Sequence, residues 1–246
     1  MKAVEIGAVS QRYGDRAVLD GIDLSVPGGE FVSLVGPSGC GKSTLLRILA
    51  GLLTPTAGNA TVGGKSAAEH RDLVAYMPQR DLLLPWRRAL DNAVVGAQVA
   101  GAPLPAARAQ AREMFQRFGL AGFERAWPAE LSGGMRQRLA LLRTFLLDRE
   151  VLLLDEPFGA LDAITRRQMY GWLQEVWLAD RRTAVFVTHD VEEAIYLSDR
   201  VIVLSPRPGR IVADIAVPLD RPRDKHVVTD PGFVALKAAV LDALEG

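Results

Sequence analysis

The chain has 246 residues, 49% of them hydrophobic, and its 29 basic and 29 acidic side chains give a formal net charge of +0. That size and apolar content suit a large buried core and exclude wholesale disorder. The balanced charge argues against a general nucleic-acid binder, and charges interrupt apolar runs such as "LALLRTFLL" well before bilayer-spanning length.

The opening "MKAVEIGAVSQRYGDR" has no apolar core followed by a small-residue cleavage site, so no secretory signal is expected. The single cysteine, Cys40, excludes an internal disulfide and fits a reducing compartment. These features predict a chain soluble by itself, with any membrane role exercised through a partner.

In chain order, residues 1–35 read as strands. "GIDLSV" alternates Ile22, Leu24 and Val26 with polar neighbours, "PGG" turns the chain, and "FVSLV" reads as a buried strand. "KSTLLRILAG" has helical apolar spacing with Gly51 as its cap, and the turn-rich "TPTAGNATVGG" leads through another short strand. From about 86 to 148 the signal is helical, with one helix in "PAARAQAREMFQRFG" and another capped by Ser132. "VLLLD", "TAVFVT" and "RVIVLS" then alternate as strands with the helices "AITRRQMYGWLQEVWLAD" and "DVEEAIYLS". The tail, about 217–246, reads as a loop and a terminal helix. The expected architecture is α/β: one domain over 1–246, a mostly parallel P-loop NTPase core sheet, an N-terminal antiparallel β subdomain and an inserted helical subdomain.

The run Gly36-Pro37-Ser38-Gly39-Cys40-Gly41-Lys42-Ser43-Thr44 fits G-x-x-x-x-G-K-[ST] between a buried strand and a helix. Glycines allow backbone N–H groups to converge on phosphate, and the helix adds its positive end. Lys42 supplies a point charge, and Ser43 offers a hydroxyl to Mg²⁺. "VLLLDEP" delivers Asp155 to a strand end, where it can hold the same ion; Glu156 follows, positioned to orient or deprotonate water. His189, after "TAVFVT", is expected on the same ligand-bearing edge, in reach of a γ-phosphate. A second glycine-lined helix start, Ser132-Gly133-Gly134, has no lysine. One geometry explains it: two copies packed head to tail, each lending this stretch to ATP held by the other.

Taken together, these motifs resemble the nucleotide-binding subunit of an ATP-binding cassette (ABC) transporter, over nearly the whole chain. Gly36–Thr44 resembles Walker A, Gln79 in "YMPQR" the Q-loop, "LSGGM" the signature, and "VLLLDEP" Walker B. "GALD" with Asp162 resembles the D-loop, and His189 in "VTHD" the switch histidine. Tyr13 falls where the family stacks an aromatic ring on adenine. The resemblance implies an ATPase whose homodimer sandwiches two ATP and two Mg²⁺, with Gln79 near the metal or the water. It also implies a peripheral subunit on the cytoplasmic face of the inner membrane, bound to transmembrane permease subunits. Through these it would serve a periplasmic or lipoprotein solute-binding protein.

Met135, where glutamine is usual, and "LLLPWRRALDN" are similar to the cassettes for nitrate, sulfonate, taurine and thiamine-precursor uptake. "LLRTFLLDRE" is closer to pyrimidine-precursor importers. A permease helix is expected to dock near residues 80–92, with Arg87, Arg88 and Glu130 available to it. Trp86, Trp127, Trp172 and Trp177 read as packing or interface residues. Cys40, beside a helix start, is a small loop filler or a redox-sensitive thiol. A soluble ABC ATPase of DNA repair or translation would share the motifs but usually carries coiled-coil inserts or paired cassettes. A P-loop kinase would need neither "LSGGMRQR" nor Gln79 and His189.

Overall fold

The computed structural model describes residues 2–159 and 161–246, so Ala160 of the "GALD" stretch lies outside the described residues. Strands β1 (Lys2–Tyr13) and β2 (Arg16–Pro27) form an antiparallel pair turned at Gly14. Next come β3 (Phe31–Val35), α1 (Lys42–Leu49), β4 (Ala57–Val62), β5 (Lys65–Ser66) and β6 (Val74–Met77). Four helices follow: α2 (Ala89–Ala93), α3 (Val95–Val99), α4 (Leu104–Arg117) and α5 (Gly133–Phe145). The remainder alternates β7 (Val151–Asp155), α6 (Ala163–Asp180), β8 (Thr183–Val187), α7 (Val191–Leu197) and β9 (Arg200–Leu204), then β10 (Ile211–Ala216) and α8 (Pro231–Glu245).

Two sheets result. The smaller is antiparallel, in the order β2-β1-β4-β5; the larger runs β10-β9-β3-β8-β7-β6 and is parallel except for the β9–β10 pair. The sequence analysis does not identify β10, an edge strand whose alternate residues are only half-buried. Edge position explains the weak signal, since one flank has no strand to demand a continuous apolar run.

The central strands β3, β7 and β8 are buried at every residue because both faces of the sheet are covered. Their period-2 alternation divides the core in two. Val32, Leu34, Leu153 and Val185 face α1 and the small sheet, while Phe31, Leu152, Leu154 and Phe186 face the helical side. Phe31 packs edge-on against Trp177, and Trp172 lies between Phe118 and Phe145. The tail is fastened to this body. Arg223 is 3% exposed and donates to backbone carbonyls of Ile195, Tyr196, Ser198, Val217 and Leu219, while Phe233 and Val240 are buried.

Topology positions the chemistry. The neighbours β3, β8, β7 and β6 all run the same way, so their carboxyl ends share one edge. The Gly-rich loop, His189, Asp155–Glu156 and Gln79 follow those four strands in that spatial order. Their chain order is different: β3, β6, β7, β8.

Candidate nucleotide site

The loop 36–41 closes onto α1 with little room to spare. A Cβ on Gly36 would stand 2.8 Å from the Leu204 carbonyl oxygen, and Gly41 combines φ 114° with a 2.5 Å approach to Leu19 Cδ2. Side chains at either position would push the loop off its supporting strands. Lys42, only 6% exposed, opens the helix and donates from Nζ to the carbonyls of Gly36 at 2.6 Å and Pro37 at 3.1 Å. The ammonium thus lies within the curl of the loop, among the backbone groups that would surround a phosphate. Cys40 is buried with Sγ 3.8 Å from Lys42 Nζ, so its thiol serves as packing and is shielded from reagents.

Ser43 Oγ donates to Asp155 Oδ1 at 3.0 Å, and Tyr76 Oη stands 3.5 Å from Oδ2. Asp155 is 1% exposed at the end of β7; burial chiefly raises its pKa, with the Ser43 hydroxyl opposing and the Glu156 charge adding. The chain then turns sharply. Glu156 adopts φ 48°, a left-handed backbone unfavourable to a side chain, while its N–H donates to Val187 O at 2.9 Å. This places Glu156 Oε2 3.1 Å from Gln79 Nε2 and 3.4 Å from His189 Nδ1.

Ser38, Gly39, Gly41, Lys42, Ser43, Thr44, Gln79 and Glu156 line one cavity of about 230 Å³, together with Val18 and Arg207. The volume is below the roughly 300 Å³ at which pockets begin to enclose a drug-sized ligand. A wider groove of about 560 Å³ between α4 and α6 carries mixed charges, including Glu113, Arg117 and Asp148, but no phosphate cradle.

Of the expected contributors that do not line this cavity, Gly36, Pro37, Cys40, Asp155 and His189 belong to the same strand-end loops, whereas Tyr13, Ser132–Gly134 and Asp162 stand on other elements. Tyr13 is 49% exposed at the β1–β2 turn. Ser132 and Gly133 face outward at the head of α5, where Ser132 Oγ accepts from Met135 N at 3.2 Å. Asp162 caps α6, accepting from the N–H groups of Ile164 and Thr165 and from the Thr165 hydroxyl, bonds that hold its carboxyl below the usual range.

The side chains expected beside the docking region are committed within the chain. Arg87 donates to Gln98, Arg88 donates to the Arg125 carbonyl and stacks 4.5 Å over Trp127, and Glu130 accepts from Trp127 N at 2.7 Å. Glu130 thus caps its own turn while remaining exposed. Trp86 is exposed, while Trp172 and Trp177 pack in the core.

Two residues near the site escape the motif reading. Arg207 reaches the cavity from the loop after β9, a placement no local spacing announces. Glu193 is buried one turn into α7, where Oε2 meets the Thr188 hydroxyl beside His189. The acidic "DVEEA" run is its only signal, and an acidic first turn commonly reads as favourable helix-end charge.

The family model described as "ABC transporter" matches residues 19–159. An aliphatic sulfonates import ATP-binding protein of Mesorhizobium japonicum is 45% identical, covering 100% of this chain and 89% of its own length. The protein of the same name from Rhodococcus jostii is 48% identical, covering 98% and 93%. Among solved structures, the dimeric structure of MJ0796, described as a bacterial ABC transporter cassette, has a TM-score of 0.80 at 28% identity. It covers 88% of this chain and 100% of its own. A dimeric post-hydrolysis state of the same cassette, bound to ADP and Pi, gives 0.79.

Proposed function

Because the chain belongs to the ABC transporter family and is an ATP-hydrolysing cassette coupled to transport, we propose that two copies of it clasp two ATP molecules and power the import of a small organic sulfonate. The observation that carries the catalytic reading is Glu156, whose carboxylate stands between Gln79 and His189 facing the Lys42–Ser43 cradle. The small cavity, whose lining includes no residue of α5, and the exposed Ser132 and Gly133 support a pocket shared between copies.

In this reading, backbone N–H groups of Gly39–Thr44 and the Lys42 ammonium hold the β- and γ-phosphates. Among the described residues no group of three or more His, Cys, Asp or Glu side chains could hold a metal. The oxygen donors Ser43, Asp155 and Gln79 nevertheless fit Mg²⁺, which commonly combines few protein ligands with phosphate oxygens and water. When bound there, the ion neutralises phosphate charge. Glu156 orients a water and takes its proton as the water oxygen bonds to the γ-phosphorus and the bond to ADP breaks. His189 donates to a γ-phosphate oxygen. Ser132, Gly133 and Gly134 of the second copy cover that phosphate, Asp162 lies at the seam, and Tyr13 stacks on adenine.

Closure of the two copies would then pull on permease subunits, and phosphate release would let them part. A groove lined by Leu52, Pro78, Leu82, Val95 and Leu147 opens beside Gln79 and supports docking of an apolar permease helix. Among the described residues no helix is long and apolar enough to cross a membrane. As the relatives' import role suggests, the cassette would sit peripherally on the cytoplasmic face, and a periplasmic or lipoprotein binding protein would select the solute. The sulfonate assignment rests on the relatives' names; Met135 with "LLLPWRRALDN" supports the wider nitrate, sulfonate, taurine and thiamine-precursor group. Reconstitution with its permease and solute-binding protein tests the reading. ATP hydrolysis should rise with alkanesulfonate more than with nitrate or a thiamine precursor, and stimulation only by another solute would replace the substrate.

A further inference from the structure

Arg207 lies on a loop that belongs to none of the recognised motifs. We propose that its guanidinium is a second cationic contact for the phosphate chain of the bound nucleotide, acting beside Lys42. The inference rests on the nucleotide reading of the cavity.

The loop is rigidly placed. Ser205 N donates to Arg210 O at 2.9 Å, and Arg210 N returns a bond to Ser205 Oγ at 3.0 Å. On the side facing β2, Gly209 N donates to Val18 O at 2.9 Å, Asp20 N donates to Gly209 O at 3.1 Å, and Arg210 Nε pairs with Asp20 at 3.0 Å. Gly209 presses so closely on the P-loop that a Cβ there would stand 2.2 Å from the Cys40 carbonyl oxygen. Arg207 is thereby delivered to the cradle, where Nε donates to Gly39 O at 2.9 Å and Nη2 donates to the same oxygen.

Charge then distinguishes Arg207 from its neighbour. Arg210 is neutralised by Asp20, whereas Arg207 pairs with no carboxylate among the described residues, and its Nη1 has no protein acceptor there. A fixed, uncompensated guanidinium thus lines the same cavity as Lys42. Its planar fork and weak hydration suit phosphate oxygens, and the Gly39 carbonyl already sets its orientation. If Arg207 only braced Gly39, its charge would be incidental.

Binding measured in the Glu156→Gln background, where turnover is removed, separates the two roles. Inorganic triphosphate, which has no base or sugar, serves as probe beside MgATP. Arg207→Gln should weaken both by the same factor, about tenfold, the worth of a hydrogen bond to a charged group, and should flatten the dependence of log Kd on log salt. Arg207→Lys, which keeps the charge, should recover part of the affinity and the parental salt slope. Unchanged triphosphate affinity would overturn the proposal, as would weaker binding with an unaltered salt slope, which marks a brace alone. Lys42→Ala is the separate control: if it left triphosphate binding intact, the nucleotide reading of the cavity itself would fail.

Discussion

Gln79 Nε2 donates to Glu156 Oε2 at 3.1 Å, so the first loop after β6 touches the carboxylate that follows β7. The contact joins the groove beside Gln79 to the hydrolytic end of the cavity through one hydrogen bond. Movement of that loop would break or shift this contact. In the proposed reading, a docked permease helix would thereby have a direct way to alter hydrolysis.

Replacing the Glu156 carboxylate by its amide keeps the shape and removes the proposed base. Glu156→Gln should retain MgATP binding, lose at least about a hundredfold in hydrolysis, and accumulate as an ATP-dependent dimer by light scattering. A monomer at saturating MgATP, with permease present, would contradict the shared pocket.

The proposed function gives Ser132 two separable roles. Its Oγ caps α5, so Ser132→Ala should cost about 1 kcal/mol in chemical unfolding. The nucleotide cavity of the single chain lacks α5, so ATP affinity of the monomer should stay unchanged. In the Glu156→Gln background the same substitution should reduce ATP-driven dimerisation, read by light scattering. Loss of monomer affinity would place Ser132 in its own chain's site.

Glu193 predicts a pH dependence. Burial pushes its pKa from 4.5 up to about 8, with the Thr188 hydroxyl opposing, the Asp190 charge adding, and Arg166 opposing; the Tyr170 hydroxyl also bears on it. Its Oε1 has no partner among the described residues. Below 4.5 the group is neutral in folded and unfolded chains alike. Between 4.5 and about 8 the folded chain keeps the proton that the unfolded chain releases, so this contribution to stability is lost as pH rises through that window. Urea melts should show Glu193→Gln gaining on the parent from pH 5 to 8, with a slope of at most about 1.4 kcal/mol per pH unit. A constant difference across that range would refute a buried neutral carboxyl.

The tail fastening is equally open to measurement. Arg223 donates to five carbonyls, at the end of α7 and at the start of the tail. Arg223→Met would leave several without a donor and should destabilise by about 3 kcal/mol or more. Its melting temperature should fall clearly below the parent's; an unchanged value would show that water or rearranged backbone replaces the guanidinium.

Most elements were legible because their signals are local. Continuous apolar runs marked β3, β7 and β8, since strands covered on both faces tolerate nothing else. The Ser132 cap and the Gly119 exit bounded helices by their own chemistry. The edge strand β10 escaped because half of its residues face solvent. The capping role of Glu130 was not legible either, because an acidic residue before a helix looks the same in sequence whether it caps or stands free. Arg207 had no signal at all: its partner, Gly39, is separated from it by 168 positions.

Sequence by itself determined the chemistry on offer: a phosphate loop with its lysine, a strand-end Asp155–Glu156 pair, and a second glycine-lined helix start. Each is a short-range pattern whose residue types and spacing already specify what it can bind. Only the tertiary structure decided which of them meet. The parallel order β3-β8-β7-β6 carries Lys42, His189, Glu156 and Gln79 to one edge in an order the chain does not follow, and leaves Ser132 elsewhere. That choice belongs to sheet pairing, whose energy comes from burying both faces of distant strands together and is written in no single segment.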